Sequence, residues 1–180
     1  MKTYTENIRQ WAKDRKIIPN STLEAQNLKL AEEFGELADS FRRGNDEVIK
    51  DSIGDIFVVA TILAGLIDKD IEELDNLQNE YYENKGNLKY SFMWLQSDIG
   101  DVAKAIVRNK KDKLVSSLGN IVNDLAAFCE WQGIDFKSCI ESAWNEIKDR
   151  KGYLRSDGVF VKSEDFTDEE MAELERENQL

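Results

Sequence analysis

Residues 29–41 read KLAEEFGELADSF, and they combine the apolar spacing of an amphipathic helix with a dense group of carboxylates. The apolar side chains recur at intervals of three and four and form one stripe, made of Leu30, Phe34, Leu37 and Phe41. The glutamates Glu32, Glu33 and Glu36 lie within about 100° of one another, roughly opposite that stripe. An acidic helix face is ordinarily solvated, so this helix alone is compatible with an exposed surface or with a site.

The rest of the chain also has helical patterns. It has 180 residues with a single proline and is rich in Leu, Ala, Glu and Lys, which indicates one all-α domain, 1–180. Residues 153–162, with alternating apolar side chains around Asp157-Gly158, predict a short hairpin or extended loop. Gly44, Gly86 and Gly133 are expected to end helices. Three starts carry a Ser/Thr-x-x-Glu capping box: Thr3 with Glu6, Ser21 with Glu24, and Thr167 with Glu170. Helices are predicted at roughly 4–15, 22–42, 46–67, 70–84, 90–109, 111–131, 135–150 and 167–177.

The sequence repeats itself at a spacing of 65 residues. LAEEFGELADSFRR (30–43) aligns with LQSDIGDVAKAIVR (95–108), and DSIGDI (51–56) aligns with SSLGNI (116–121). Two glycines recur within these helices, which predicts close helix–helix approach at each: Gly35 with Gly100, and Gly54 with Gly119. We therefore predict a pseudo-dimer of two fused halves, 22–86 and 90–152, with residues 153–180 as a C-terminal extension.

The helix after the acidic one is predicted to be buried, because residues 56–67 are apolar nearly all round. Asp51 and Asp55 are four residues apart, so they share a face that continues into this apolar surface. A buried carboxylate is costly unless it is paired, hydrogen-bonded or bound to a metal. If the acidic face of the first helix covers this face, Glu33, Glu36 and Asp55 converge, and a divalent cation would offset their repulsion.

The overall charge and the absence of histidine narrow the chemistry. The net charge of −12 disfavours binding of nucleic acid. Without histidine there is no Ser-His-Asp or Cys-His pair, no HExxH zinc site and no Glu-x-x-His di-iron centre. A metal site here must use oxygen ligands, which favours Mg²⁺, with Mn²⁺ as the alternative. In the second half Asp98 and Asp101 match Glu33 and Glu36, but Asn120 replaces Asp55, so this half is predicted to be degenerate.

EEFGE followed about twenty residues later by DSIGD resembles the MazG-like branch of the all-α NTP pyrophosphohydrolases, relatives of the all-α dimeric dUTPases. The family pattern is EExxE on one helix and ExxD on the next. Glu32, Glu33 and Glu36 match EExxE, and Asp55 matches the last acid of ExxD, whereas the first acid falls on Ser52. Asp51 is the alternative ligand. The ending WNEIKDRKGYLRSDGVFVKSED, 144–165, also resembles such proteins.

The resemblance implies Mg²⁺-dependent hydrolysis of a (d)NTP to the monophosphate and pyrophosphate. It implies catalytic roles for Glu32, Glu33, Glu36 and Asp55, with the metal held by Glu33, Glu36, Asp51 and Asp55. Glu32 or Asp51 would hold a second ion or act as general base. The candidates to bind the substrate phosphates are a basic cluster after a helix, formed by Lys148, Arg150 and Lys151, with Asn145 nearby. Basic residues at this place are equally explained by the favourable charge interaction at a helix C-terminus. Trp94, Trp131 and Trp144 are candidates to stack on the base, or core residues.

Other readings stay open. A degenerate relative could bind a nucleotide or a protein partner without catalysis, and a structural helical protein could carry a solvated acidic face. The first residues lack an apolar run of signal-peptide length, and 56–67 is too short to span a bilayer, which predicts a cytoplasmic protein without a membrane partner. Cys129 and Cys139 are expected to be buried thiols. A homodimer of the whole chain is left open.

Overall fold

The computed structural model describes residues 2–71 and 88–165, together with residues 167 and 169, and within them the chain is an all-α bundle with one small hairpin, as predicted. The α-helices are α1 (Lys2–Asp14), α2 (Ile17–Asn20), α3 (Leu23–Arg43), α4 (Asp46–Leu66), α5 (Leu88–Val107), α6 (Lys111–Gln132) and α7 (Phe136–Ile147). Two antiparallel strands, β1 (Gly152–Leu154) and β2 (Phe160–Lys162), precede a 3₁₀ turn at Ser163–Asp165.

Helix α4 forms the centre of the bundle and confirms the expected burial of its apolar part. It packs against α1, α3, α6 and α7, and thirteen of its twenty-one residues are buried. At Gly54 the approach to α7 is close: a Cβ there would lie 2.6 Å from the Cys139 carbonyl oxygen and 2.7 Å from the Ala143 Cβ. This contact fixes the turn of α4 that carries Asp55.

The other recurring glycines behave differently. No described atom lies within 4 Å of a Cβ placed on Gly35 or Gly100, so the prediction of close approach is wrong at these two positions. Gly119 is buried in α6. The helices pack as two hairpins, α3 on α4 and α5 on α6, in the order that the repeat suggests. Their relation as a pseudo-dimer stays a prediction.

The helix ends follow local chemistry. Gly44 and Gly133 end α3 and α6 in the left-handed conformation, with φ of 69° and 71°, as predicted. The cap of α3 is Thr22 rather than Ser21: Thr22 Oγ1 accepts a 3.0 Å hydrogen bond from the Ala25 N–H, whereas the Ser21 hydroxyl donates to the Gly158 carbonyl. Thr3 lies inside the first turn of α1, so the capping box predicted there is wrong.

The predicted hairpin at 153–162 is confirmed, with Gly158 at φ 85° in its turn. The short α2 was not predicted; its Ile18 has an extended backbone conformation. The predicted helices at 70–84 and 167–177, and the stop at Gly86, lie almost wholly outside the described residues. Across the described helices, none combines the length and apolar character that crossing a membrane requires.

Candidate functional site

A cavity of about 360 Å³ opens between α1, α3, α4 and the C-terminal hairpin. Its walls combine carboxylates, cationic side chains and an apolar section. The polar and charged lining residues are Gln26, Lys29, Glu32, Glu33, Asp55, Arg150 and Lys162, and the apolar ones are Trp11, Ile17, Ala25, Val58, Val59, Ile62, Ile147, Val159, Phe160 and Val161.

Two predicted acids, Glu33 on α3 and Asp55 on α4, meet in this cavity. Glu33 is only 3% exposed, so it does not belong to a solvated face, whereas Glu32 and Glu36 are exposed. Burial raises the pKa of Glu33. Burial, reinforced by the negative charges of Glu33, Asp51 and Glu146, raises the pKa of Asp55 to about 7. The two carboxyls therefore repel each other in a poorly hydrated place.

The acidic group extends one turn along α4 to Asp51. Burial and the neighbouring Glu146 of α7 raise the pKa of Asp51, and Glu36 adds to the effect. Arg150, just after α7, pairs with Glu146 and counteracts part of the negative charge on Asp51 and Asp55. The charges of acids from α3, α4 and α7 thus act on one another near Asp51 and Asp55.

Lys29 neutralises part of this charge from within α3. Its Nζ lies 2.7 Å from Glu33 Oε1 and 3.1 Å from Glu32 Oε1. The buried Glu33 is therefore paired, which meets the requirement for a buried charge. The same pair also occupies an oxygen that a cation would need.

The apolar end of the cavity is formed by Trp11 and Phe160. Their rings pack edge to face with centroids 5.7 Å apart. The Arg15 guanidinium lies 4.8 Å from the centre of the Trp11 ring, and its Nε donates to the Arg150 carbonyl at 2.6 Å. Helix α1, the segment after α7 and β2 are held together by these contacts.

The other predicted site residues are placed as follows. Glu36 lines a neighbouring groove on α3 with Glu32 and Asp39, although its charge reaches Glu33 and Asp51. Asp51 is not part of the described cavity lining and instead lines a separate depression with Glu47, Lys50 and Ser142. Ser52, at the family's acid position, is buried and donates to the Val48 carbonyl at 2.9 Å.

Within the basic cluster the structure brings only Arg150 to the described wall of the cavity. Asn145, Lys148 and Lys151 are exposed, and Lys148 Nζ donates to Asn145 Oδ1 at 2.9 Å. The predicted base-stacking candidates also lie elsewhere: Trp94 and Trp131 are exposed, and Trp144 packs against the core.

Sequence reasoning missed several polar or aromatic residues of this region, among them Trp11, Gln26, Lys29, Glu146 and Lys162. Lys29 stands four residues before Glu33, and that spacing alone predicts an ion pair on a helix. Glu146 stands next to Asn145, within the stretch 144–165 that resembles the ending of the family's proteins. No local signal marks Trp11 or Lys162, because tertiary packing brings them to the cavity.

The acids of this region suit a hard divalent cation by their chemistry, since carboxylate oxygens are the donors such cations prefer and these carboxylates repel one another. Their side chains do not form a finished coordination shell. Within residues 2–71 and 88–165, no group of three or more Asp, Glu or Cys side chains is placed to hold a metal ion. Glu33 would have to turn away from Lys29 to bind a cation. These residues therefore fit a divalent cation by the chemistry of their oxygen donors and not by their present arrangement.

The second half presents a contrast at the matching positions. Asn120, which replaces Asp55, donates from Nδ2 to the buried Asp98 Oδ1 at 3.0 Å. Asp101 lies 3.1 Å from Lys113 Nζ and 3.8 Å from Lys104 Nζ. Asp98 is thus hydrogen-bonded by an amide, and Asp101 is paired with two lysines. That this half is a degenerate copy stays a prediction.

Comparison with known proteins gives one short similarity. The chain is 54% identical over 59 residues to an uncharacterized 18.2 kDa protein in the rep-hol intergenic region of Haemophilus phage HP1 (strain HP1c1). The match covers 33% of this chain and 36% of that protein, so it spans about a third of each. No family model and no solved structure matches the chain.

Proposed function

We propose that the protein is a Mg²⁺-dependent nucleoside triphosphate pyrophosphohydrolase that converts a (d)NTP and water to the (d)NMP and pyrophosphate. The observation that carries the proposal is that Glu33 and Asp55 line one cavity, while Asp51 and Glu146 lie near enough for their charges to act on Asp55. The resemblance of the EEFGE and DSIGD segments supports it. Mn²⁺ is the alternative cation, and a cytoplasmic location belongs to the proposal because its substrate is found there.

The roles of the residues follow from their positions. Glu33, Asp55, Asp51 and Glu146 would hold the cation, which when bound polarises phosphate oxygens and offsets the charge of substrate and protein. Arg150, Lys29 and Lys162 supply positive charge at the cavity for the polyphosphate. Glu32, which lines the cavity near its surface, is the general base that takes the proton of the attacking water.

The reaction balances without a covalent intermediate. A P–O bond forms from the water oxygen, and the bridging P–O bond between the α and β phosphates breaks. One water proton passes to Glu32, which afterwards releases it to solvent, and the other stays on the phosphate that receives the water oxygen. The electron pair of the broken P–O bond goes to the leaving phosphate product.

The test is product analysis after incubating the full chain with each standard NTP and dNTP in Mg²⁺, in Mn²⁺ and in EDTA. We expect monophosphate and pyrophosphate in equal amounts, and none in EDTA. Asp55→Asn should lower turnover by about 100-fold or more, because a lost charge contact costs several kcal/mol. Asp112→Asn, an exposed carboxylate on α6, is the control and should keep the activity. Absence of turnover with every substrate, or release of orthophosphate, would refute the proposal.

A second candidate is a nucleotide-binding or protein-interaction module without catalysis. Two observations favour it. The ion pair with Lys29 occupies an oxygen of Glu33. Ser52 is buried and stands where the ExxD pattern of the family has a carboxylate. This candidate predicts binding of NTP analogues with no pyrophosphate released at any enzyme concentration. The product analysis above therefore separates the two.

A further inference from the structure

We infer that the apolar end of the cavity is a nucleobase subsite, in which Trp11 donates a hydrogen bond to the edge of the base and Gln26 accepts one. The inference deepens the proposed function, on which it rests for the identity of the ligand, since it assigns a role to the Trp11 and Gln26 lining of the same cavity. It concerns the heterocycle alone and needs neither a cation nor phosphates for its test.

The first observation is an unsatisfied donor. Trp11 is 6% exposed, it lines the cavity, and its Nε1–H has no hydrogen-bond partner among the residues that the structure describes. Buried indole N–H groups nearly always have an acceptor, because an unmade hydrogen bond at a desolvated group costs free energy. The nitrogen atom itself has almost no accessible surface. A ligand acceptor therefore reaches it only after a small turn of the indole ring toward the cavity, and that contact removes the cost.

The second observation is the orientation of the Gln26 amide. The Ser21 hydroxyl has a single hydrogen, which goes to the Gly158 carbonyl at 2.6 Å. Ser21 Oγ can therefore only accept from Gln26, at 2.9 Å, and this places the amide nitrogen toward Ser21. The buried Gln26 also lines the cavity, and its carbonyl oxygen remains as an acceptor for a ligand.

These groups define the chemistry of the ligand. The neighbouring walls are apolar and aromatic, from Val58, Val59, Ile62 and Phe160, and suit a flat uncharged ring. A buried donor on Trp11 and an acceptor on Gln26, both in the lining of one cavity, match the hydrogen-bonding edge of a nucleobase, where acceptor and N–H groups alternate. A base whose edge nitrogen is methylated loses the N–H and adds bulk, so the subsite should reject it.

The experiment uses nucleosides, which carry no phosphate. The four tryptophans give four indole N–H signals in a ¹H–¹⁵N spectrum of the full chain in EDTA. Trp11→Phe assigns one signal by its loss and keeps an aromatic ring at this place. We expect uridine and inosine, added up to about 20 mM, to shift the Trp11 signal in a saturable way, as weak millimolar binding requires. Their edge-blocked counterparts, 3-methyluridine and 1-methylinosine, should leave it in place.

Trp131→Phe is the matched control, because Trp131 is exposed on α6 and lies outside the described cavity wall. In the wild type, the indole N–H signal of Trp131 should not respond to nucleosides. Trp11→Phe should weaken uridine binding, followed on the backbone signals, by about five- to tenfold, the effect of one neutral hydrogen bond. The control should bind as the wild type does. The comparison of uridine with 3-methyluridine on the wild type needs no variant and so does not depend on the folding of Trp11→Phe.

The inference is overturned if neither uridine nor inosine moves the Trp11 signal, or if the methylated nucleosides move it equally. Its failure is distinguishable from failure of the proposed function. Nucleoside binding at Trp11 without pyrophosphate release would retain the subsite and reject the enzyme. Pyrophosphate release with no response of Trp11 to nucleosides would retain the enzyme and reject the subsite.

Discussion

Asp55 has the clearest consequence at the scale of single residues, because its pKa in the folded protein is raised to about 7 by burial and neighbouring acids. Below pH 4 the carboxyl is protonated in both the folded and the unfolded chain. Between pH 4 and 7 the unfolded chain releases this proton while the folded chain retains it. The free energy of unfolding in EDTA should therefore fall as the pH rises through this range and level off above it.

Asp55→Asn removes this effect, since asparagine has no proton to release. The variant should match the wild type near pH 4 and exceed its free energy of unfolding by at most about 4 kcal/mol at pH 8. Urea unfolding in EDTA at each pH measures the difference, and Asp112→Asn serves as control. Parallel curves for wild type and Asp55→Asn would show that Asp55 does not have the raised pKa.

Lys29 gives a second prediction at this scale, because it both stabilises Glu33 and competes with a cation for it. Lys29→Gln leaves a buried carboxylate unpaired and should lower the free energy of unfolding in EDTA by about 1–3 kcal/mol. The same change should increase the affinity for Mg²⁺, because a competing positive charge 2.7 Å from Glu33 is gone. Thermal unfolding over a Mg²⁺ titration measures both effects. Lys113→Gln, which loses a contact to Asp101, is the control; if it matches Lys29→Gln, the assignment fails.

Among the helices, α4 and α7 are fixed to each other at Gly54. A Cβ at this position would lie within 2.7 Å of α7, so Gly54→Ala forces the helices apart and should cost about 1–3 kcal/mol. Gly35→Ala, where no described atom lies within 4 Å, should stabilise the protein by about 0.5–1 kcal/mol through helix propensity. Urea unfolding of the pair checks the prediction. Equal destabilisation by both substitutions would contradict it.

The comparison of the two glycines shows where sequence reasoning works for these elements. Periodicity predicts α3, α4, α6 and the hairpin within a few residues, because burial of an apolar stripe leaves a strong pattern. The role of Gly54 follows from the partner that packs on it. Gly35 occupies the same kind of sequence position without a described neighbour. A glycine in a helix therefore predicts the possibility of close approach, and tertiary packing determines whether it occurs.

For the candidate site, the acids on α3 and α4 could be predicted from the sequence. Each lies at a distinctive position in the pattern of its own helix: the glutamates form a cluster on α3, and Asp55 precedes an apolar face on α4. Glu33 and Asp55 line one cavity, whereas Glu36, which the sequence predicts to converge with them, lines a neighbouring groove. Glu146 and Trp11 could not be found this way, since they reach the region only through the packing of α7 and α1 on α4. Three of the four proposed phosphate-binding residues are exposed for the same reason: a basic sequence cluster does not fix which side chain turns inward.

At the scale of the whole molecule, the acids that would hold a cation come from α3, α4 and α7, and unfolding separates them. A cation that binds only the folded chain raises its free energy of unfolding by about 2.7 kcal/mol at a hundredfold excess over Kd. We therefore expect Mg²⁺ and Mn²⁺ to raise the unfolding temperature of the wild type at pH 7.5. Magnesium should also remove the fall in stability between pH 4 and 7, because it offsets the charge that causes this fall.

The pattern of variants makes this prediction specific. Glu33→Gln and Asp55→Asn should abolish the Mg²⁺-dependent rise, since both residues face the cavity. Glu36→Gln should reduce it less, because Glu36 lies in the neighbouring groove and acts by its charge. Asp101→Asn, at the matching position of the second half, should leave it unchanged, because Lys104 and Lys113 already meet this carboxylate. A rise that survives in Asp55→Asn, or that disappears in Asp101→Asn, would place the cation outside the first half.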